Sequence, residues 1–275
     1  MSQSILVIVG AGGIGEAIAR RVGPGKEVLL GDRSNTLLQD VTQRMKRDGF
    51  RVTPQHVDIS SRDSVIQFAK TAQSLGQVMH VAVSAGLSPV SSTRETILGV
   101  NLAGTGFCIA EFGKLIGHGG TCVVISSLAG YTLAQDVPHE VIQQLARTSP
   151  SDVLGSPLLR ETVLDQWSAY GVSKRVNYVQ VQDASLSWAR HGARINSISP
   201  GAIQTPMLSL ESQASKKDVA HDLAQNIPCK RVGSSGEVAH VAAFLLGSES
   251  SFVTGTDVLV DGGALAYLSR DNSSS

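Results

Sequence analysis

Short runs of apolar, mostly β-branched residues alternate along the chain with longer segments whose apolar residues recur at helical spacing. Gly, Asp or Ser bounds each short run. This alternation is typical of a parallel sheet with helices on both faces. It predicts strands near residues 4–9, 27–31, 51–57, 78–84, 120–126, 193–199 and 257–260. It predicts helices near residues 14–22, 36–48, 61–74, 95–117, 168–191 and 236–247.

The order of these elements predicts one α/β domain over residues 1–275. We expect a Rossmann-type, doubly wound parallel sheet of seven strands, with its ligand crevice at the carboxyl ends of the strands. Two stretches interrupt the alternation, residues 133–167 and 204–230, and both leave the sheet on the crevice side.

Charge, cysteine number and the length of the apolar runs argue against several functional classes. The chain has 23 basic and 23 acidic residues and no block of like charge, which argues against binding to nucleic acid or to an anionic membrane. Three widely spaced cysteines indicate buried thiols in a reducing compartment. The first apolar run is too short for a signal peptide, and no later stretch approaches membrane-spanning length. We therefore expect a soluble, cytoplasmic protein, and no histidine pair with metal-ligand spacing suggests a metal.

A glycine-rich turn, Gly10-Ala-Gly-Gly-Ile-Gly15, follows the first predicted strand. Gly10, Gly12 and Gly15 have the G-x-G-x-x-G spacing between a strand and a helix, where backbone amides can face a pyrophosphate. Asp32 ends the second strand, where an acidic residue can accept hydrogen bonds from an adenosine ribose. A carboxylate there favours NAD over NADP, although Arg33 could pair with the extra phosphate of NADP. Alternatively, the glycines close an ordinary turn and Asp32 only starts another.

Tyr170 and Lys174 lie four residues apart in the run Ser168-Ala-Tyr-Gly-Val-Ser-Lys174. On a helix this spacing puts the phenol and the ammonium on one face, about one turn apart. The fixed positive charge can stabilise a phenolate, which makes the tyrosine a usable acid and base. Such a pair also arises by chance on solvated helices, so its position downstream of the glycine turn carries the prediction.

The glycine turn, the acidic strand end and the Tyr/Lys pair together resemble the short-chain dehydrogenase/reductase family over nearly the whole chain. Further motifs match in the family's order: Val57-Asp58-Ile59, Ser84-Ala85-Gly86, Asn101, Ile125-Ser-Ser127, the run 199–205 and the run 253–263. Two features depart from the family pattern. The glycine turn is one residue shorter and lacks the usual Thr, and Ser84 replaces the usual Asn.

The resemblance implies roles for the reacting residues. Tyr170 would exchange a proton with the substrate oxygen while a hydride moves between the substrate carbon and nicotinamide. Lys174 would depress the tyrosine pKa and hold the nicotinamide ribose. Ser127, rather than its competitor Ser126, would donate a hydrogen bond to the substrate oxygen. Asn101 would organise a water path for the proton, or would only bend or cap a helix.

The resemblance also implies NAD as cofactor and a homodimer or homotetramer as assembly. The expected cofactor contacts are Gly10, Gly12, Gly13, Ile14, Gly15, Asp32, Arg33, Asp58, Ile59, Ser84, Ala85, Gly86, Tyr170, Lys174, Pro200, Gly201, Ile203 and Thr205. The stretch 204–230 would be a substrate lid, or a plain surface helix.

Ser127 and Tyr170 are 43 positions apart, far more than in most of the family, so residues 135–166 are interpreted as an insertion. Its apolar residues predict two short helices around a turn between Pro150 and Pro157. The insertion would wall a hydrophobic substrate site, cover a subunit contact surface, or pack only on itself. In its position it is similar to an insertion in the 3α-hydroxysteroid dehydrogenase/carbonyl reductase subgroup.

These observations predict an NAD-dependent oxidoreductase that interconverts a secondary alcohol and a ketone on a bulky apolar small molecule, with steroid-like compounds as one candidate class. Alternatives are the same chemistry on a small alcohol, a sugar or a 3-hydroxyacyl substrate, and a dinucleotide-binding sensor without turnover. An epimerase or dehydratase of the family's extended branch would need a larger C-terminal domain than this chain has.

Overall fold

The computed structural model describes residues 3–215 and 225–271. The strands are β1 (Ser4–Val9), β2 (Glu27–Asp32), β3 (Arg51–His56), β4 (Gln77–Val83), β5 (Ile116–Ile125), β6 (Arg194–Pro200), β7 (Ile203–Gln204), β8 (Gly233–Ser234) and β9 (Asp257–Val260). Seven of them form one parallel sheet in the order β3-β2-β1-β4-β5-β6-β9, and β7 pairs with β8 in a small parallel ladder. The predicted doubly wound sheet is confirmed, and the small ladder is an addition to it.

The described helices are α1 (Gly13–Val22), α2 (Asn35–Arg47), α3 (Arg62–Leu75), α4 (Arg94–Ile97), α5 (Thr105–Gly113), α6 (Ala129–Thr132), α7 (His139–Arg147), α8 (Pro157–Thr162), α9 (Gln166–Trp188), α10 (Pro206–Ser215), α11 (Ser235–Leu246) and α12 (Ala264–Asp271). Several of these helices are capped at their N-terminus by a side chain. Ser34 accepts a hydrogen bond from the amide of Leu37 at the start of α2, and Asp165 and Ser168 form a capping box at the start of α9.

The core has two layers, one on each face of the sheet. In β1, Ile5, Val7 and Val9 belong to one buried cluster, and Leu6 and Ile8 belong to the other. This alternation follows from the two-residue period of a strand, and both faces are apolar because helices cover both. The first cluster includes α3, α5 and α9, and the second includes α1, α2 and α11.

The helix predicted over 95–117 differs from the structure in its interior and at its end. A π-helical segment, Leu98–Gly104, separates α4 from α5, and β5 already begins at Ile116. The expectation that no stretch approaches membrane-spanning length is wrong for Arg94–Gly113, which is long and apolar enough by length and composition to cross a membrane. It is 72% buried within the protein, as the core helix of a globular domain is.

The insertion at 135–166 folds into the two predicted short helices, α7 and α8, with a 3-10 turn at Val153–Gly155 between them. Ile142, Leu145 and Val153 are fully buried in the cluster that contains α9. On α5, a Cβ added to Gly106 would lie 2.8 Å from Cγ of Pro150. The insertion therefore packs on α9 and α5 rather than only on itself.

Candidate active site

A cavity of about 660 Å³ opens at the carboxyl edge of the sheet, where β4, β5 and β6 end. Of the residues predicted to act, it brings together Ile14, Ser84, Gly86, Ser127, Tyr170, Lys174, Pro200, Gly201, Ile203 and Thr205. The other predicted residues lie around this lining rather than in it. The crevice is where ligands bind in open parallel sheets.

The glycine turn has no room for a side chain at Gly10 or at Gly15. Gly10 has a φ of 103°, and a Cβ there would lie 2.5 Å from the amide nitrogen of Ala85. A Cβ on Gly15 would lie 1.8 Å from the carbonyl oxygen of Gly10. Helix α1 then starts after Gly12, which offers no side-chain cap. The first amides of the helix, with the positive end of its dipole, are thus placed to bind a pyrophosphate, so the turn fits a dinucleotide despite being short.

Ser84 braces this turn. Its Oγ donates to the carbonyl oxygen of Gly10 at 2.9 Å and lies 3.2 Å from that of Val9. The replacement of the family's Asn by Ser therefore leaves a side-chain hydrogen bond between the ends of β1 and β4.

The carboxylate of Asp32 is fixed beside the turn. Oδ2 accepts a hydrogen bond from the amide of Ala11, and Oδ1 accepts one from the amide of Ser34, both at 2.8 Å. Each carboxylate oxygen has further acceptor capacity. Arg33 is exposed. Asp32 thus has a second function besides any contact with a ribose, because it holds the glycine turn in place.

Asp58 and Ile59 order the segment that follows β3, and their predicted contact with the cofactor stays a prediction. Oδ1 of Asp58 accepts hydrogen bonds from the amide and hydroxyl of Ser60, at 3.0 and 2.7 Å. Ile59 is buried against Gly104, where an added Cβ would lie 2.8 Å from the Ile59 side chain.

Helix α9 presents Tyr170 and Lys174 to the cavity, as their spacing predicts. Nζ of Lys174 lies 5.8 Å from the centre of the Tyr170 ring and donates to the carbonyl oxygen of Ile125 at 3.0 Å. Lys174 is buried, and this desolvation lowers the pKa of its ammonium to about 8. The ammonium is therefore a cation close to its titration point next to the phenol.

The hydroxyl groups of Ser126 and Ser127 have different hydrogen-bond partners. Oγ of Ser126 donates to the carbonyl oxygen of Lys174 at 2.6 Å, which ties β5 to α9. Oγ of Ser127 accepts from the amide of Ala129 at 3.1 Å, so its proton remains available for a partner in the cavity. Geometry thus favours Ser127 over Ser126 as the donor to a substrate oxygen.

Asn101 is fully buried in the π-helical segment. Its side-chain amide pairs with the backbone of Leu87, accepting from the nitrogen at 2.8 Å and donating to the oxygen at 3.0 Å. Its own carbonyl oxygen accepts from Nδ2 of Asn177 at 2.9 Å. Asn101 therefore positions Leu87 at the cavity wall, and the expected water path stays a prediction.

The segment after β6 closes the crevice. The amide of Gly201 donates to Val260 at 3.0 Å, and a Cβ on Gly201 would lie 2.8 Å from Cα of Asp261. Thr205 borders the glycine turn, since a Cβ on Gly13 would lie 3.4 Å from its methyl group. Of the predicted lid, α10 is described and contributes Met207 and Leu208 to the cavity, whereas residues 216–224 lie outside the described residues.

Apart from Met207 and Leu208 of the predicted lid, sequence reasoning missed the apolar wall of the cavity. This wall consists of Leu87, Pro89, Val90, Leu128, Leu133, Trp167, Met207 and Leu208. A usable signal was present, because Leu87 and Leu128 directly follow the Ser84–Gly86 and Ser126–Ser127 motifs, in loops that are usually polar. Of the insertion, Gln166 alone among the described residues is part of the lining. The expectation that the insertion walls the substrate site is therefore met only at its last residue.

One partly buried titratable group, His80, lies in the sheet rather than in the cavity. Burial, with Lys26 and Arg194 nearby, lowers the pKa of His80 to about 4. Its Nδ1 lies 2.8 Å from Oγ1 of Thr121, whose hydroxyl donates to the carbonyl oxygen of Leu246. His80 is therefore a neutral, hydrogen-bonded core residue. In residues 3–215 and 225–271 no group of three or more His, Cys, Asp or Glu side chains is placed to hold a metal ion.

Comparison with known proteins agrees with this site. A family profile described as short chain dehydrogenase matches residues 3–138, and one described as enoyl-(acyl carrier protein) reductase matches residues 137–264. The short-chain dehydrogenase/reductase bsc3 of Alternaria brassicicola is 91% identical over 274 residues, which cover 100% of both chains. The chain belongs to the short-chain dehydrogenase/reductase family. Its members are oxidoreductases that use a nicotinamide dinucleotide.

Solved structures show the same fold. A short-chain type dehydrogenase/reductase from Mycobacterium ulcerans superposes with a TM-score of 0.76 at 24% identity, covering 96% of this chain and 90% of the other. A variant of actinorhodin polyketide ketoreductase with NADPH also gives 0.76, at 20% identity, covering 95% and 97%.

Proposed function

We propose that this protein interconverts a secondary alcohol and a ketone by hydride transfer with NAD, on a bulky apolar substrate. The observation that carries the proposal is the meeting of Ser127, Tyr170 and Lys174 in one cavity whose remaining wall is largely apolar. A tyrosine beside a buried ammonium supplies the acid and base, and the apolar wall supplies the binding energy.

The protein's own residues handle the proton and the substrate oxygen. The ammonium of Lys174 favours the phenolate of Tyr170, which takes the hydroxyl proton during alcohol oxidation and returns it during ketone reduction. The hydroxyl of Ser127 donates to the same oxygen, where negative charge develops. The nicotinamide supplies the hydride acceptor or donor. Leu87, Leu128 and the other apolar side chains of the wall would exclude water around a bound substrate and so strengthen these interactions.

The site supports NAD better than NADP. Asp32 holds a carboxylate at the end of β2, beside the glycine turn, and a negative charge there repels a ribose phosphate. Arg33 is exposed next to it, and we propose that it does not reverse this preference.

Tyr170→Phe tests the proposed chemistry. We expect a loss of turnover of about 10³-fold, because phenylalanine has no exchangeable proton, with an unchanged dissociation constant for NADH. The measurement is NADH fluorescence titration followed by turnover of a panel of steroid and smaller secondary alcohols. Tyr178→Phe is the matched control, since Tyr178 stacks on Tyr131 with ring centres 5.4 Å apart and is not in the cavity lining. Retained turnover in Tyr170→Phe would contradict the acid and base assignment.

Asp32→Asn tests the cofactor preference. Alanine would remove the hydrogen bonds from both Ala11 and Ser34, whereas asparagine removes the charge and keeps an acceptor for one of these two amides. We expect the ratio of NADPH to NADH dissociation constants to fall about tenfold. An unchanged ratio would show that Asp32 serves only the glycine turn.

A further inference from the structure

A second cavity, of about 230 Å³, lies beyond Leu128 from the reacting centre. Nearly all of the surface that faces it is apolar. The residues that line it are Leu128, Ala202, Asn226, Ile227, Ala264, Tyr267 and Leu268. It has no charged side chain among these lining residues, so its chemistry suits a hydrocarbon group and not a phosphate or carboxylate.

The two cavities share part of their walls. Leu128 and Ala202 line both of them. Leu128 directly follows Ser127, and its amide donates to the carbonyl oxygen of Pro200 at 2.9 Å. The shared wall is thus held between the ends of β5 and β6, next to the hydroxyl that would bind the reacting oxygen.

Hydrogen bonds and close packing also fix the start of α12, which forms the opposite wall of the cavity. The carboxylate of Asp261 accepts from the amide of Gly263 at 2.9 Å at the start of α12. Gly262 and Gly263 have φ values of 63° and 85°, and Cβ atoms on them would lie 3.2 Å from Cβ of Cys229 and 2.7 Å from Cγ of Pro228. The amide of Cys229 donates to Gly262 at 3.1 Å. The cavity is therefore a built feature of the fold rather than a gap under a frayed helix.

Its size shows what it can hold. A complete site for a drug-sized ligand occupies about 300–1,000 Å³, so a volume of about 230 Å³ accommodates part of a ligand. The side chain of Leu268 is 38% exposed. A ligand group bound in this cavity would cover that apolar surface.

We propose that the second cavity binds a compact apolar substituent, a ring or a branched alkyl group, on the far side of the substrate from its reacting carbon. The substituent passes between Leu128 and Ala202 and contacts Tyr267 and Leu268. This inference rests on the proposed function, because it takes the reacting oxygen to lie at Ser127 and Tyr170.

Binding of two alcohols to the NADH-loaded protein tests the proposal without requiring turnover. The probes are 4-cyclohexylcyclohexanol and cyclohexanol, which differ by one apolar ring. We expect the wild type to bind the larger alcohol at least tenfold more tightly. Leu268→Ser should reduce this preference about fivefold, and Ala264→Leu should reduce it similarly by filling the cavity from the opposite wall. Leu186→Ser, at a leucine that is 76% exposed on α9, should leave it unchanged.

The outcomes separate this inference from the proposed function. Equal affinities of the wild type for both alcohols, or an equal loss for both in Leu268→Ser, would overturn the second binding site. A preference that depends on Leu268 and Ala264, together with no oxidation of any alcohol in the presence of NAD, would support the site and overturn the proposed hydride transfer.

Discussion

The two sides of helix α9 contribute to the stability of the protein with opposite signs. On one side, Tyr170 and Lys174 face the cavity, and Lys174 keeps a desolvated ammonium. On the other side the insertion covers the helix, with Ile142 and Leu145 fully buried and Arg147 paired with Asp183 at 3.2 Å. Charge burial on the first side costs stability, and apolar burial on the second adds it. The insertion therefore stabilises the helix that carries the reacting pair.

Two contacts connect the sides. Nη1 of Arg175, next to Lys174, donates to the carbonyl oxygens of Ala134 and Val137, at the start of the insertion. A Cβ on Gly171, next to Tyr170, would lie 2.6 Å from Cβ of Leu133. The chain between β5 and the insertion is therefore held against α9. The contacts are made by Gly171 and Arg175, the residues that directly follow Tyr170 and Lys174.

Lys174→Met gives the largest expected effect, and its two readouts have opposite signs. Turnover should fall by about 10³-fold, because under the proposed function the phenolate of Tyr170 loses the cation that favours it. At pH 7 the free energy of unfolding should rise by about 2 kcal/mol, since folding no longer desolvates a charge that is present in both states below pH 8. Urea unfolding and steady-state kinetics measure the two. A parallel loss of stability and turnover would contradict the assignment of a functional charge on this side.

Leu145→Ala reverses that pattern on the insertion side. Removing a fully buried leucine should lower the free energy of unfolding by about 3 kcal/mol. Below the unfolding transition, kcat and the NADH dissociation constant should stay within twofold of the wild type, because Leu145 is not part of the cavity lining. Leu186→Ala, at the exposed leucine of α9, is the matched control for stability. A fall in kcat without loss of stability would show that the insertion acts on the reaction directly.

The sequence predicts the parts of the molecule that have a local pattern. The seven strands follow from apolar runs, and the positions of Gly10, Gly15, Tyr170 and Lys174 follow from spacing. The π-helical segment around Asn101 is not predicted, and neither is the pairing of Asn101 with Leu87, 14 residues away. Long-range contacts of this kind leave no periodic signal.

The cavity wall and the place of the insertion were missed for the same reason. Leu128 and Leu133 read as ordinary apolar residues until β5, α6 and α9 are assembled around them. The apolar residues of α7 and α8 indicate that a side is buried, but not which partner buries it. The ordered motifs predicted the family, whereas the individual character of the site comes from contacts between distant segments.

The pH dependence of the NADH dissociation constant is the smallest expected effect. It identifies the residue whose titration controls cofactor binding. Because Lys174 in the free protein has a pKa of about 8, its ammonium is present below that pH, and the titration of this group should not change the NADH affinity with pH there. Above pH 8, binding that requires the ammonium must first take up a proton, so the NADH dissociation constant should rise about fivefold between pH 8 and pH 9. Lys174→Met should abolish the rise, whereas Leu145→Ala and Tyr170→Phe should keep it. Loss of the rise in Tyr170→Phe would transfer the titration from the lysine to the phenol.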